Sequence, residues 1–409
     1  MFPLSFMIDI NRSRNDWVVP KYLRTRPIHR WFVFPHSFSN DLVYHLIEKW
    51  GLSTGDRVLD PFAGAGTTLL SAKEKGISST GYDISPWSVL VCGAKTATYD
   101  KAVLSEAFNS FLGSIKPGDW VNGNNGAPEL LRRALPGNLL AAFSNLVSLS
   151  KSMPLPRQYR DCVLLAVLSL IPQYSRAVPT GGWLKWVDNR TNSRSLLTNL
   201  ENTFEVFLDD VGSVTFPFKT QSNAHLADAR GLPDPPDAFS AVITSPPYPN
   251  RHDYTRVFNI ELFFLTGLTA IQEIRRQSFH SHPESKPSRP RYSEYVAPLE
   301  LTKALKVLNA EAKDKRIPRM VEGYFVDMYL ALKEMKRVLK ANAPAALVLG
   351  NVQYSGVPIL VDEIVAEIGA SVGLRFEGIQ PVRFRGNSAQ QMKSLGKHPS
   401  RESIVFFKN

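Results

Sequence analysis

Asp60-Pro61-Phe62-Ala63-Gly64-Ala65-Gly66-Thr67-Thr68 follows the short apolar strand pattern Arg57-Val58-Leu59-Asp60 and runs into a helical pattern from Thr67 to Lys75, closed by Gly76. Glycines at such a strand-to-helix turn let the backbone approach a ligand closely, and the first helical turn offers unpaired N–H groups. The stretch fits a nucleoside cofactor, with Asp60, Pro61, Phe62, Ala63, Gly64, Gly66, Thr67 and Thr68 as its candidate contacts. Ser79-Thr80-Gly81-Tyr82-Asp83 reads as the next strand. Its last residue, Asp83, lies where a carboxylate accepts hydrogen bonds from ribose hydroxyls, with Ile84 beside it. A Gly-rich turn with a capping acid would give the same pattern without any ligand.

Outward from this core, Leu42, Val43, Leu46, Ile47 and Trp50 recur at helical spacing after the cap residue Ser39, and Pro86 opens another helix. The resulting βαβα series predicts a parallel, doubly wound α/β sheet. Residues 1–99 are then the first part of a catalytic domain. From 100 to 220 helical runs such as Leu139 to Leu149 and Cys162 to Ile171 predict a mainly helical insertion. The sheet resumes with the strands Ala224 to Asp228 and Phe239 to Thr244, so that 221–409 is the second catalytic part. It carries an irregular basic insertion at about 270–318, a helix from Met320 to Lys340 and a strand from Ala345 to Leu349. Arg375 to Arg385 and Ser403 to Lys408 are expected to pair antiparallel at the sheet edge.

Among 409 residues, 48 Lys and Arg face 37 Asp and Glu, a formal charge of +11 that favours a polyanionic partner. The two cysteines, Cys92 and Cys162, make neither a disulfide framework nor a thiolate metal site, and no metal is expected. The apolar start Met1 to Ile8 meets Asp9, and no stretch approaches the length of a membrane span, so an unprocessed cytoplasmic protein is expected.

Thr244-Ser245-Pro246-Pro247-Tyr248 follows the apolar strand Ala241 to Ile243, at a strand end where α/β sheets place reactive groups. Consecutive prolines lack N–H groups, fix their φ angles and turn carbonyls outward. Those carbonyls, with Ser245, can accept hydrogen bonds from an amino group, and Tyr248 offers a face for a base extruded from a duplex. Equally, the prolines end a strand and Tyr248 packs. In the next run, Arg251, His252, Tyr254 and Arg256 interleave cations with aromatic rings, as nucleic-acid binding requires. Asp228, ending a strand beside Arg230-Gly231, is either an acceptor for an adenine amino group or a turn former.

Asp60 to Thr68 together with Ser245 to Tyr248 closely resembles the amino-group DNA methyltransferases of restriction-modification systems, in particular the site-specific cytosine-N4 enzymes. The resemblance implies a Rossmann-like S-adenosylmethionine-dependent methyltransferase sheet with an antiparallel edge hairpin and a mainly helical insertion. It implies S-adenosyl-L-methionine held by residues 60–68, catalysis by Ser245, Pro246, Pro247 and Tyr248, and double-stranded DNA as substrate. A cognate restriction endonuclease acting on the same site is the implied partner, and the chain is a monomer or a dimer. Trp31 to Phe38 resembles the segment touching the methionine part of the cofactor, Asp83 to Pro86 the ribose turn, and Asp228 the adenine-side acid. Adenine-N6 enzymes more often carry Asp or Asn in place of Ser245, which favours cytosine. C5 methylation is disfavoured, because neither cysteine lies in a Pro-Cys loop.

The insertions at 100–220 and 270–318 match nothing in the family pattern. The first, with Arg132, Arg133, Arg190 and Arg194, is expected to read the DNA sequence, and Arg275 to Arg291 competes for that role. Adenine-N6 methylation, amino methylation of RNA and a non-catalytic nucleic-acid-binding module remain the rival readings.

Overall fold

A computed structural model describes residues 12–120, 127–180, 183–188, 195–217, 220–250, 252–286, 294–385 and 400–409. Its centre is a seven-stranded sheet. In chain order the strands are β1 (Arg57–Asp60), β2 (Ser78–Asp83), β3 (Ser222–Leu226), β4 (Ala241–Thr244), β5 (Pro344–Gly350), β6 (Arg375–Arg385) and β7 (Ser400–Lys408). Their spatial order is β3-β2-β1-β4-β5-β7-β6. The first five run parallel, while β7 is antiparallel to both β5 and β6. The order reverses between β1 and β4, and a crevice opens at the carboxyl ends of strands where it does so.

Alternation along the strands fills both faces. Val58, Ile243 and Val348 pack with Leu42, Leu46 and Ile47 of helix α1 (Asn40–Lys49), whereas Leu59, Val242 and Leu347 face the other way. There they meet the long helix Arg316–Val338, whose Met320, Tyr324, Phe325, Met328, Leu332 and Met335 are all buried. Helices α2 (Thr67–Glu74) and α3 (Pro86–Thr96) follow β1 and β2. Ser39 and Ser85 cap α1 and α3 by accepting from Asp41 and Ser88 amides.

The predicted sheet and edge pair are present, with shifted boundaries. The strand expected to end at Asp228 stops at Leu226, and β4 starts at Ala241 because Phe239 makes only an isolated bridge to Leu339. The region 100–220 is mainly helical, through Lys101–Gly113, Leu139–Ser152, Arg157–Ser169 and Leu196–Ser213. It also holds an unforeseen hairpin, Ala177–Thr180 with Trp183–Trp186. Its core is continuous with Trp87, Leu90 and Val91 of α3. Arg190, Arg194 and Arg251 lie outside the described residues. Among the described residues no helix is long and apolar enough to cross a membrane.

Candidate active site

One cavity at the carboxyl ends of β1, β2 and β4 is lined both by the Gly-rich loop and by Ser245, Pro246, Pro247 and Tyr248. Asp60 is the hinge between them. It is 2% exposed, and its Oδ1 accepts from the Phe62 amide (3.1 Å) and from the Thr244 hydroxyl (2.6 Å). Burial pushes its carboxyl up to about 6, against the lowering pull of those hydrogen bonds. Thr68 makes a parallel tie, donating to the Ile243 carbonyl (3.1 Å). The loop after β1 is thereby fixed to the strand that carries the proline turn.

The two loop glycines face different neighbours. Gly64 lines the cavity at φ +50°, and an added Cβ would meet only ordinary contacts, 3.8 Å from Phe34 and from the Phe62 carbonyl. Gly66, at φ +76°, backs onto α3, where a Cβ would lie 2.7 Å from Cys92 Sγ. Asp60, Pro61, Phe62, Ala63, Gly64, Thr67, Asp83, Ile84 and Asp228 line the cavity; Gly66 and Thr68 sit behind it. Sequence reasoning had no signal for Lys95. Its buried ammonium donates to the Ala65 carbonyl (2.8 Å) and the Phe32 carbonyl (3.1 Å), joining the loop to the segment Trp31–Phe38. Burial lowers that ammonium to about 8.

Asp83 accepts from the Gly64 amide (3.0 Å) at Oδ2 and from the Ser85 amide (2.8 Å) at Oδ1, and burial raises its carboxyl. The carboxyl is an acceptor-only group at the cavity wall, the type that takes hydrogen bonds from ribose hydroxyls. With the open side of Gly64 and the apolar Phe34, Phe62 and Ile84, this donor and acceptor set fits an adenosyl cofactor. Asp228 is held on the rim by Arg230, which donates through Nε (2.9 Å) and Nη2 (2.6 Å). Arg230 in turn donates to Asp327 (2.9 Å) and to the Gln277 carbonyl (2.5 Å).

In the proline turn, the Ser245 hydroxyl donates to the Val348 carbonyl (3.2 Å), which leaves its oxygen as an acceptor towards the cavity. Tyr248 lies over Gly350, where an added Cβ would come within 2.7 Å of its ring. Of the residues expected to bind nucleic acid, the described ones lie at or beside the cavity. Arg256 pairs inside the protein with Asp253 (3.2 Å) and Glu284 (3.1 Å). His252 is 5% exposed and lines the cavity. Tyr254 also lines it, stacked at 6.5 Å on Phe34, and its phenol is raised by burial and by the nearby Asp83. The second insertion supplies a wall that sequence reasoning missed: Ile274, Ser278, Phe279, Ser281 and His282. Phe279 sits edge-on to Phe62 at 5.0 Å and under the Arg230 guanidinium at 5.2 Å.

Residues 11–89 match a family model described as DNA methylase, for N6 and N4 methyltransferases. The type II methyltransferase M.AvaI of Nostoc sp. is 30% identical over 94% of this chain and 87% of its own length. M.BsoBI of Geobacillus stearothermophilus, also a type II methyltransferase, is 29% identical over 94% of this chain and 86% of its own. A TehB-like SAM-dependent methyltransferase structure from Corynebacterium glutamicum aligns over 91% of this chain and 90% of its own, at 9% identity and a TM-score of 0.30.

Proposed function

We propose that this chain, which belongs to the amino-group DNA methyltransferases of restriction-modification systems, methylates the exocyclic N4 of cytosine in duplex DNA. Its methyl donor is S-adenosyl-L-methionine, which when bound supplies an activated methyl on a sulfonium. Asp83 takes the ribose hydroxyls, Asp228 and Ile84 border the adenine, and Pro61, Phe62, Ala63, Gly64 and Thr67 form the remaining cradle. Asp60 and Thr68 act one step back, by holding the loop against β4.

The choice of base is carried by Ser245, at the position where adenine enzymes of the family more often have Asp or Asn. Its oxygen, oriented by donation to Val348, accepts from the amine together with the Pro246 carbonyl, and so aims the nitrogen lone pair. Pro247 fixes the turn and Tyr248 gives the extruded cytosine a stacking face. Positioning of an already reactive methyl group dominates the rate. DNA sequence around the target is read by the 100–220 insertion, where Arg132 and Arg133 are exposed, and a restriction endonuclease of the same specificity is the partner.

Methylation of mixed-sequence DNA with labelled cofactor, followed by digestion to nucleosides and sequencing of the modified sites, tests this reading. N4-methylcytosine is expected, and N6-methyladenine would overturn the choice of base. Ser245→Ala should slow single-turnover methylation about 3- to 10-fold, as loss of one neutral hydrogen bond does, with cofactor affinity retained. Full activity in folded Ser245→Ala would remove this turn from the amine site.

A further inference from the structure

His36, His252 and His282 bring three imidazoles to the cavity that also holds Ser245 to Tyr248. The ring of His252 is fixed from two sides, edge-on to His36 (centroids 4.6 Å apart) and to Tyr254 (4.5 Å), while its backbone amide donates to Asn250 Oδ1 (3.1 Å). Its Nε2 is buried and meets no hydrogen-bond partner. Asp253 beside it is engaged by Arg256 (3.2 Å) and Arg275 (3.0 Å), and His282 lies between Asp253 (3.9 Å) and Glu284 (3.6 Å). Burial first, then His36 and His282, lower the His252 imidazole to about 4 against the pull of Asp253, so the ring is neutral at pH 7. A buried ring nitrogen without a partner is unfavourable unless a ligand completes it.

The acidic groups of the wall are otherwise engaged: Asp60 with Phe62 and Thr244, Asp83 with Gly64 and Ser85, Asp228 with Arg230. The turn at Ser245 and Pro246 offers acceptors to an amine. An amino-bearing base also presents a ring nitrogen next to that amine, N3 in cytosine and N1 in adenine, which accepts and carries no hydrogen. It requires a donor from the wall.

We infer that the neutral imidazole of His252 donates from Nε2 to the ring nitrogen adjacent to the target amine, so that His252 reads the extruded base instead of gripping a phosphate. The inference rests on the reading of Ser245 to Tyr248 as the amine site. In the neutral tautomer that donates, the hydrogen sits on Nε2, and the edge-on contacts with His36 and Tyr254 hold the ring in place among the residues that line the cavity.

The test removes one atom from each side. Duplexes carry the methylated site, once mapped, with either cytosine or 3-deazacytosine at the target, and binding is measured with S-adenosylhomocysteine present so that nothing turns over. The ratio of the two affinities, natural over deaza, should be about 3- to 10-fold larger for wild type than for His252→Ala, the value of one neutral hydrogen bond. Comparing ratios cancels the weaker pairing of the deaza base. His252→Gln, which keeps an N–H, should recover part of the wild-type ratio. If His252→Ala does not fold, His252→Phe fills the space without the donor and serves in the same comparison. Equal ratios in wild type and the donorless variant overturn the inference. Should the product be N6-methyladenine, 1-deazaadenine takes the place of 3-deazacytosine, so failure of the base assignment and failure of the His252 contact give different results.

Discussion

The two insertions interrupt the same sheet and meet it in unlike ways. The described part of 100–220 builds a helical core, in which Phe108 stacks on Phe204 at 3.9 Å, and lines none of the candidate active site. It docks through Asp210, 1% exposed, which accepts from the Ile28 amide (2.8 Å), the Trp31 indole (3.0 Å) and Arg30 (2.6 Å). The shorter insertion instead enters the site. Its Ile274 to His282 stretch is tied to the loop after β3 by Arg230 on the Gln277 carbonyl (2.5 Å) and to the long helix by His280 on Asp327 (2.9 Å), an aspartate that Arg230 also holds. Length and helicity therefore say little about closeness to the chemistry; the place of attachment does.

Breaking each attachment should separate the two regions, and this gives the largest effects. Arg230→Met leaves Asp327 buried with its main counter-charge removed, which should cost about 3–5 kcal/mol of stability. It should also weaken cofactor binding, because Asp228 and Phe279 lose the guanidinium that holds them both. Asp210→Ala strands the buried Ile28 amide and Trp31 indole, at about 1–3 kcal/mol each, yet should leave cofactor affinity close to wild type. Urea unfolding and calorimetric titration with S-adenosylhomocysteine read both quantities on the same samples. Equal loss of cofactor affinity in the two variants would erase the distinction between the insertions.

A second contrast lies at the strand ends, between a carboxyl that holds the fold, Asp60, and one proposed to meet a ligand, Asp83. Asp60 ends β1 and is raised to about 6, above its unfolded value near 3.9. Between about pH 4 and 6 the folded state thus binds more protons than the unfolded one, so the Asp60 contribution falls as pH rises through that window, by about 3 kcal/mol overall. Asp60→Asn keeps an acceptor for Phe62 and Thr244 and cannot ionise. The stability difference between wild type and Asp60→Asn should accordingly drift against wild type from pH 4 to 6 and stay constant above. A difference that does not change with pH would place the charge of Asp60 in contact with solvent.

The contrast explains how much was legible in the sequence. Asp60 to Thr68 and Ser245 to Tyr248 are short runs at strand ends, where residue type, turn chemistry and position all follow from adjacent residues; their meeting in one cavity follows from β1 and β4 being neighbours. The stretch Ile274 to His282 has no such local signature. Its place depends on Arg230 and Asp327, whose pairing joins residues far apart in the chain. Charge was legible without its partner. Arg256 is legible as a cation but not its pairing with Asp253 and Glu284, and Tyr254 as an aromatic ring but not its place beside Phe34 and Asp83.

Asp83 sharpens the same contrast from the ligand side. If Asp83 holds the ribose as proposed, Asp83→Ala should remove charge-assisted hydrogen bonds worth about 1.5–3 kcal/mol, which corresponds to roughly 10- to 150-fold in cofactor affinity. Calorimetric titration of the folded variant measures it. Unchanged affinity would take Asp83 out of the cofactor site and leave it as a brace for the Gly64 and Ser85 amides.

The smallest effect expected separates the two glycines of one loop. Both have positive φ, +50° at Gly64 and +76° at Gly66, so an alanine at either incurs about 1–2 kcal/mol of left-handed backbone strain. At Gly66 the new methyl would also press on Cys92 Sγ at 2.7 Å, a contact with the buried side of α3 that adds to the loss of stability. At Gly64 nothing lies closer than 3.8 Å, and the methyl would stand beside Phe34 at the cavity wall proposed to hold the cofactor. Gly64→Ala should therefore lose only the strain energy in stability while weakening S-adenosylhomocysteine binding. Gly66→Ala should lose more stability, and Cys92→Gly in the same chain should return part of it by removing Sγ and Cβ, while the Cα at 3.1 Å stays. Melting curves and titrations on the four proteins decide the matter. Should Gly64→Ala bind as wild type does, the open face of Gly64 is not part of the cofactor site.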